Sequence, residues 1–245
     1  MTKDGRPSRI RDIRLFSGSR NDYLEDGEEA WAFARRLAWW LNGEDVSVGS
    51  NHTVYVHLST QHPEGSVEPG PLARDAESWQ VRYVTVGVDP AALTADTDRV
   101  AIDAVTRSLA SLIPEQATLL AQAAETVGTA GADCRFLLRR KESASEVLEV
   151  TSTIATWPAP STLFVSLTDQ ATGTYRESPP LPVKVYYDAA YLAGKIRRTR
   201  GRVSLDPRGS YPAQIIASQI GKVGWGDSQF EETERPLISG LLNLR

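Results

Sequence analysis

The chain is short of residues and segments on which whole classes of function depend. Cys134 is its single cysteine, so no disulfide can form within the chain, and a free thiol in an apolar stretch suits a reducing compartment. No run approaches the roughly 18 consecutive apolar residues of a membrane helix. The polar first residues lack the apolar core of a secretory signal. We therefore expect a cytoplasmic protein.

Positive charge is also in short supply. The chain has 27 Lys and Arg against 31 Asp and Glu, for a net charge of −4. Such a chain repels a phosphate backbone at long range, so a nucleic-acid ligand would need a local basic patch.

The usual sequence motifs of cofactor and metal sites are missing as well. Glycines 221, 224 and 226 are spaced G-x-x-G-x-G, and the dinucleotide fingerprint needs G-x-G-x-x-G after a buried strand. The nucleophile motif Gly-x-Ser-x-Gly is absent. His52 and His57 point to opposite faces of any regular strand and cannot share an ion, and His62 follows in a loop. We expect no cofactor and no metal.

What the sequence does contain is an alternation of strand and helix patterns over residues 10–140. The clearest is a helix over 27–42, where Asp26 and Glu29 form a capping-box signature and Gly43 provides a stop. Strands are predicted over 10–16, 52–59, 79–88 and 134–140, and further helices over 97–113 and 114–128. This order predicts an α+β fold with a ferredoxin-like β-α-β-β-α-β sandwich, in which helices cover one face of an antiparallel sheet.

The two ends of the chain have a different texture. Residues 1–9 are predicted to be a flexible arm. Residues 141–245 form a β-rich, antiparallel C-terminal part that either extends the first sheet or makes a second one. Strands are predicted there over 146–156, 162–168 and 181–188, and short helices over 212–220 and 236–244.

The densest charge run in the chain is one candidate contact surface. Five positive charges fall within eight residues: Lys195, Arg197, Arg198, Arg200 and Arg202. Such a run suits an acidic protein surface or a nucleic acid. The alternative is a solvated loop or hairpin whose arginines pair with Asp and Glu elsewhere on the chain.

Trp39 is the other candidate. On a helical projection it lies opposite the apolar stripe of the first helix, close to Arg35 and Arg36. An exposed Trp flanked by Arg is typical of an interface hot spot. If a later β segment packs over this face, Trp39 is buried and the hypothesis fails.

These features favour a non-enzymatic protein that acts by binding a protein partner. Its size and mild acidity are typical of an immunity-type protein that neutralises a bacterial toxin, and equally of a structural subunit of a phage or injection-type assembly. A second hypothesis is an enzyme with a dispersed site, in which Tyr55, His57, Arg82 and Tyr83 converge if their strands pair. A third is a nucleic-acid-binding regulator that uses Lys195–Arg202.

Overall fold

A computed structural model describes residues 7–18, 22–70 and 81–244 of the chain. The chain divides into two compact units, Met1–Gly131 (unit 1) and Ala132–Arg245 (unit 2), which together have the α+β character expected from the sequence. Within the described ranges, none of the helices combines the length and the apolarity that crossing a bilayer requires.

The described residues of unit 1 form a four-stranded sheet and four α-helices. Its elements are β1 (Asp12–Ser17), α1 (Glu28–Gly43), β2 (Thr53–Ser59), β3 (Val67–Pro69), β4 (Val81–Gly87), α2 (Pro90–Ala95), α3 (Thr97–Leu112) and α4 (Ala117–Ala130). The sheet order is β1-β2-β4-β3, with β1, β2 and β4 parallel and β3 antiparallel to β4.

This topology differs from the ferredoxin-like prediction, which required an antiparallel sheet. The crossover through α1 returns the chain so that β2 runs parallel to β1, and the short β3 then returns it so that β4 is parallel too. The strand predicted over 134–140 belongs to a sheet of unit 2 instead. Residues 79 and 80 of the predicted third strand lie outside the described residues.

The core of unit 1 lies between one face of this sheet and its helices. The buried side chains of that face alternate along the three parallel strands: Ile13, Leu15, Val54, Val56, Leu58, Val84 and Val86. Helix α1 contacts β1, while α3 contacts β2 and β4, and the two helices contact each other. Both helices therefore cover the same face, as expected for alternating strands with one buried side.

Helix α1 begins at Glu28, one residue later than predicted, and without the predicted capping box. Gly27 is its N-cap, no side chain of the cap accepts a hydrogen bond, and Asp26 has a φ of 51°. Instead, Oδ1 of Asp98 on α3 accepts a hydrogen bond from the Ala30 backbone N–H at 2.7 Å. A carboxylate of a neighbouring helix thus accepts a hydrogen bond from the first turn of α1, where the sequence predicted a cap from Asp26.

The described part of the predicted flexible arm is held in place. The Ser8 backbone N–H donates to the Gly49 carbonyl at 3.0 Å, and Arg9 forms a β-bridge with Ser47. Residues 1–6 of the arm lie outside the described residues.

Unit 2 is mostly antiparallel β structure. Its elements are β5 (Arg135–Glu142), β6 (Glu146–Ser152), β7 (Ser161–Asp169), β8 (Tyr175–Glu177), β9 (Leu181–Val183), α5 (Tyr186–Leu192), β10 (Lys195–Thr199), β11 (Arg202–Asp206), α6 (Tyr211–Ile220), β12 (Val223–Gly226), β13 (Glu231–Glu232) and β14 (Ile238–Leu241). They form two sheets of their own, one in the order β13-β8-β7-β6-β5-β14 with β9 beside β7, and one in the order β10-β11-β12.

One predicted element of unit 2 is a strand over only part of its length, and another has the wrong type. The strand predicted over 181–188 ends at Val183, and helix α5 follows, with the Asp188 carboxylate accepting from the Val185 backbone N–H at 3.0 Å. The helix predicted over 236–244 is strand β14, which pairs in parallel with β5. In the second case pairing with a distant strand overrides the local pattern.

Candidate functional site

The basic run folds into the β10–β11 hairpin. Lys195 pairs with Asp206 and Thr199 with Arg202, and Gly201 in the turn has a φ of 67°, which a glycine adopts without strain. Strand β12 joins the other side of β11. One face of the three strands is buried and apolar: Ile196, Val203, Leu205, Val223 and Trp225.

The opposite side of the hairpin is exposed and positively charged. We call it the basic face, and it consists of Lys195, Arg197, Thr199, Arg202, Ser204, Asp206, Gly224 and Gly226 with Arg200 in the turn. Four cationic side chains share it with one carboxylate. Arg197 is ion-paired with Asp206, and Arg202 donates to the Gly224 carbonyl at 3.3 Å. Lys195 and Arg200 are exposed and pair with no described residue.

Arg198 has a structural role within the same run. It is half-buried, forms an ion pair with Asp227 beyond β12, and donates through Nε to Glu146 on β6 at 3.0 Å. The hydrogen bond that Arg198 donates to the Asp227 carboxylate raises the pKa of Arg198. Arg198 thus ties the three-stranded sheet to β6 and is not available to a partner. The contact hypothesis therefore applies to Lys195 and Arg200, and the alternative of pairing within the chain applies to Arg198.

The structure does not place Trp39 on the surface. Trp39 and Arg36 are buried, and Arg36 donates to Glu29 at 2.7 Å. Arg35 lies over the Trp31 ring with its Cζ 5.2 Å from the centroid. The prediction that Trp39 is exposed assumed that α1 buries only one side. It was wrong because α1 contacts β1, α3 and α4, which together cover more than one side of the helix. The contact hypothesis for Trp39 required exposure and loses its basis.

Three of the four residues of the dispersed-site hypothesis do converge. Tyr55 on β2 is directly opposite Tyr83 on β4, with ring centroids 5.4 Å apart, and His57 is 6.0 Å from Tyr83. They lie on the face of the unit 1 sheet opposite α1 and α3. Arg82 has the other parity in β4 and donates to the Gly70 carbonyl. It therefore does not join the cluster.

Parallel pairing with β1 adds residues that the sequence did not indicate. Arg14 is in register with Tyr55, and Phe16 with His57, whose ring it stacks on at 4.9 Å. We call the resulting surface the aromatic face; it comprises Asp12, Arg14, Phe16, Thr53, Tyr55, His57, Val81, Tyr83 and Thr85. Only the register shows that Arg14, Tyr55 and Tyr83 form one row across three strands.

The polar groups of the aromatic face form a chain. Arg14 donates through Nε to Asp12 at 2.8 Å and through Nη1 to the Tyr55 hydroxyl at 3.3 Å. Burial raises the pKa of Asp12, and it also raises the pKa of Tyr55. For Arg14, burial acts to lower the pKa, but the hydrogen bond and charge of Asp12 outweigh it and raise the value. Clustered shifts of this kind mark candidate functional sites.

A cleft of about 830 Å³ opens at the carboxyl end of β1. Its described lining includes Tyr23, whose ring stacks on Phe16 at 4.9 Å, and the carboxylates of Asp22, Glu25 and Asp26. None of the described lining residues is basic. The cleft therefore disfavours an anionic ligand at that end of the sheet.

Unit 2 contains a second polar cluster, which is more deeply buried. Arg135 donates to Glu177 at 3.3 Å and its Cζ lies 3.3 Å from the Phe164 ring centroid, while the Tyr175 hydroxyl donates to Glu177 at 2.9 Å. Burial lowers the pKa of Arg135 and raises the pKa of Tyr175 to about 12. Nothing in the sequence pattern joined these residues, because they come from three separate strands.

Two of the three histidines have a side-chain hydroxyl as a polar neighbour. His52 interacts with Thr53 Oγ1 at 3.0 Å, and His62 with Ser59 Oγ at 2.8 Å. Across the described ranges, no group of three or more His, Cys, Asp or Glu side chains is arranged to hold a metal ion.

Comparisons of the chain with protein families, with curated proteins and with solved structures gave no match. Functional inference therefore depends on the chemistry of the two surfaces.

Proposed function

We propose that the chain acts by binding a protein partner that presents an acidic surface, and that the basic face makes the contact. The observation that supports this proposal is the segregation of charge. Four exposed cations share the basic face with one carboxylate, in a chain whose net charge is −4. Complementary potentials of this kind accelerate association and select the partner.

The chemistry of the basic face favours a protein over a nucleic acid. No aromatic side chain lies on it, so it offers no platform on which bases could stack. Two of its positions are glycines, Gly224 and Gly226, and a Cβ on Gly224 would come within 2.9 Å of the Val203 carbonyl. The glycines leave a flat surface beside the arginines, which suits a broad protein contact.

The specific form of the proposal is a cytoplasmic immunity-type protein that neutralises a bacterial toxin by forming a stoichiometric complex. Such a role needs no catalytic residues, only a surface complementary to the toxin. A structural subunit of a phage or injection-type assembly would use the same surface, and the identity of the partner distinguishes the two roles.

Co-purification with paired charge variants tests the proposal. Lys195→Glu combined with Arg200→Glu reverses two charges that have no described partner. Lys141→Glu combined with Lys184→Glu makes the same change in net charge at exposed positions elsewhere in unit 2. Tagged proteins are expressed in cells that naturally carry the gene, and bound proteins are quantified by mass spectrometry.

We expect the wild type and the control variant to retain the same acidic protein, and the basic-face variant to lose it. A partner that inhibits growth when expressed alone supports the immunity role, and a capsid or tail protein supports the assembly role. Equal recovery with both variants, or recovery only of nuclease-sensitive material, contradicts the proposal.

A further inference from the structure

The aromatic face of unit 1 has a composition that the proposed function does not use. Its central row places the guanidinium of Arg14 beside the phenol of Tyr55, which lies beside the phenol of Tyr83. All three side chains are partly exposed, and the Arg14 side chain is 41% exposed. Since α1 and α3 pack on the opposite face, neither helix covers this row.

The guanidinium of Arg14 is held in a fixed orientation. Asp12 accepts from its Nε, the Tyr55 hydroxyl accepts from its Nη1, and its Cζ lies 5.6 Å from the Tyr55 ring centroid. Its Nη2 donates to no described residue. A fixed guanidinium with a free N–H edge is suited to a phosphate or carboxylate, because little side-chain entropy remains to be lost on binding.

The rings beside Arg14 offer a stacking surface. Phe16 and His57, which are buried, pack against the row from one side: the Phe16 and Tyr55 ring centroids are 4.8 Å apart with 38° between the ring planes, and the His57 and Tyr83 centroids are 6.0 Å apart.

 The Tyr55 and Tyr83 rings are nearly perpendicular, with 77° between their planes, and Phe16 and His57 pack beside them. These packed neighbours fix the positions of the two phenols. Partly exposed rings on the open face of a sheet backed by helices are the arrangement on which unpaired bases stack.

We propose that the row Arg14–Tyr55–Tyr83 binds a nucleobase that carries a phosphate, with the base stacked on the Tyr83 ring beside Tyr55 and the phosphate on Arg14. The charges along the face set this direction. Among the three residues of the row, Arg14 alone is a cation and it stands at the β1 end, so the phosphate is placed there and the base toward Tyr83 on β4. A free nucleotide and the end of a single-stranded RNA offer the same chemistry.

Calorimetric titration of the full chain tests this proposal, with adenosine 5′-monophosphate, adenosine, inorganic phosphate and a short oligoadenylate as probes. We expect the monophosphate to bind at millimolar or lower concentration, and adenosine about tenfold more weakly, because it lacks the group that Arg14 contacts. Inorganic phosphate alone is expected to bind more weakly than the monophosphate. An oligoadenylate that binds at least as tightly as the monophosphate and is sensitive to salt identifies RNA as the source, and a weaker one identifies the free nucleotide.

Two variants locate the site. Arg14→Gln is expected to remove the preference for the monophosphate over adenosine, and Tyr83→Leu to weaken both ligands about tenfold. Tyr211→Leu, at an exposed tyrosine of unit 2, is the matched control and should leave binding unchanged. The comparison of adenosine with its monophosphate uses the wild type alone, so it stands even if Tyr83→Leu fails to fold. Absence of binding by every nucleotide probe, or binding that neither Arg14→Gln nor Tyr83→Leu alters, overturns the proposal.

Discussion

The two units contain polar clusters built from the same three chemical groups, a carboxylate, a guanidinium and a phenol. In unit 1 these are Asp12, Arg14 and Tyr55, and the Arg14 side chain is 41% exposed. In unit 2 the corresponding arginine is Arg135, whose side chain is 14% exposed. The difference teaches that exposure, and not the set of groups, decides whether such a cluster can meet a ligand or only stabilises the fold.

The C-terminal segment accounts for the burial in unit 2. The Thr233 backbone N–H donates to the Tyr175 carbonyl at 3.3 Å, and the Arg135 backbone N–H donates to the Leu237 carbonyl at 3.2 Å. Between these points, Arg235 donates to the buried Glu149 at 2.7 Å and lies over the Tyr175 ring. Residues 233–237 thus lie against the cluster, and no such segment is described over the row of unit 1.

The largest expected effect is the difference between the two arginines. Arg135→Ala leaves Glu177 without its cation and removes the packing on Phe164, so we expect a loss of about 3 kcal/mol in the free energy of unfolding of unit 2. Arg14→Ala removes the hydrogen bond to Asp12, and water can take the place of the guanidinium. We therefore expect a loss of about 1 kcal/mol in the free energy of unfolding of unit 1. Hydrogen exchange followed by mass spectrometry measures both, because peptides from β5 and β7 report on one unit and peptides from β1 and β2 on the other.

Arg99→Ala provides the control for this comparison. Its side chain is 69% exposed and pairs with Asp96 on the same helix, so its removal is expected to cost less than about 0.5 kcal/mol. Equal losses for Arg135→Ala and Arg14→Ala would contradict the difference in burial on which the comparison depends.

A smaller effect is expected at alkaline pH. Folded Tyr175 keeps its proton to a higher pH than the unfolded chain does, because burial raises its pKa to about 12. Its contribution to stability is therefore fully present below the ordinary tyrosine pKa and is lost as the pH rises through about 12. Urea unfolding across this range should show a steeper alkaline loss in the wild type than in Tyr175→Phe.

The matched substitution in unit 1 sharpens the result. Burial also raises the pKa of Tyr55, but its side chain is more exposed than that of Tyr175, so Tyr55→Phe is expected to remove a smaller part of the alkaline loss. If Tyr55→Phe changes the pH dependence more than Tyr175→Phe does, the two clusters have been assigned to the wrong roles.

The two surfaces also differ in how far the sequence could predict them. The basic face comes from one contiguous run, so its charge was evident from Lys195–Arg202, but strands β10 and β11 and their alternating burial were not predicted from the sequence. The aromatic face needed the pairing of β1 with β2, which the sequence does not encode locally. Tyr55, His57 and Tyr83 were identified, but Arg14 was not, because only the parallel register brings it beside Tyr55.

The same limit explains the failures within the fold. Helix α3 was predicted to within one residue, since its caps and periodicity are local. Strand β14 and the burial of Trp39 depend on contacts with distant elements, and the ferredoxin-like topology depended on strand direction, which alternating patterns do not reveal.

The most direct test of the proposed contact is the binding of a fluorescently labelled polyglutamate peptide, measured by anisotropy at low and at physiological salt. The proposal predicts that the wild type and Lys141→Glu/Lys184→Glu bind the peptide, that added salt weakens binding, and that Lys195→Glu/Arg200→Glu binds it at least tenfold more weakly. Equal binding by the two double variants, or tighter binding of a single-stranded DNA of the same charge that Lys195→Glu/Arg200→Glu abolishes, would contradict it.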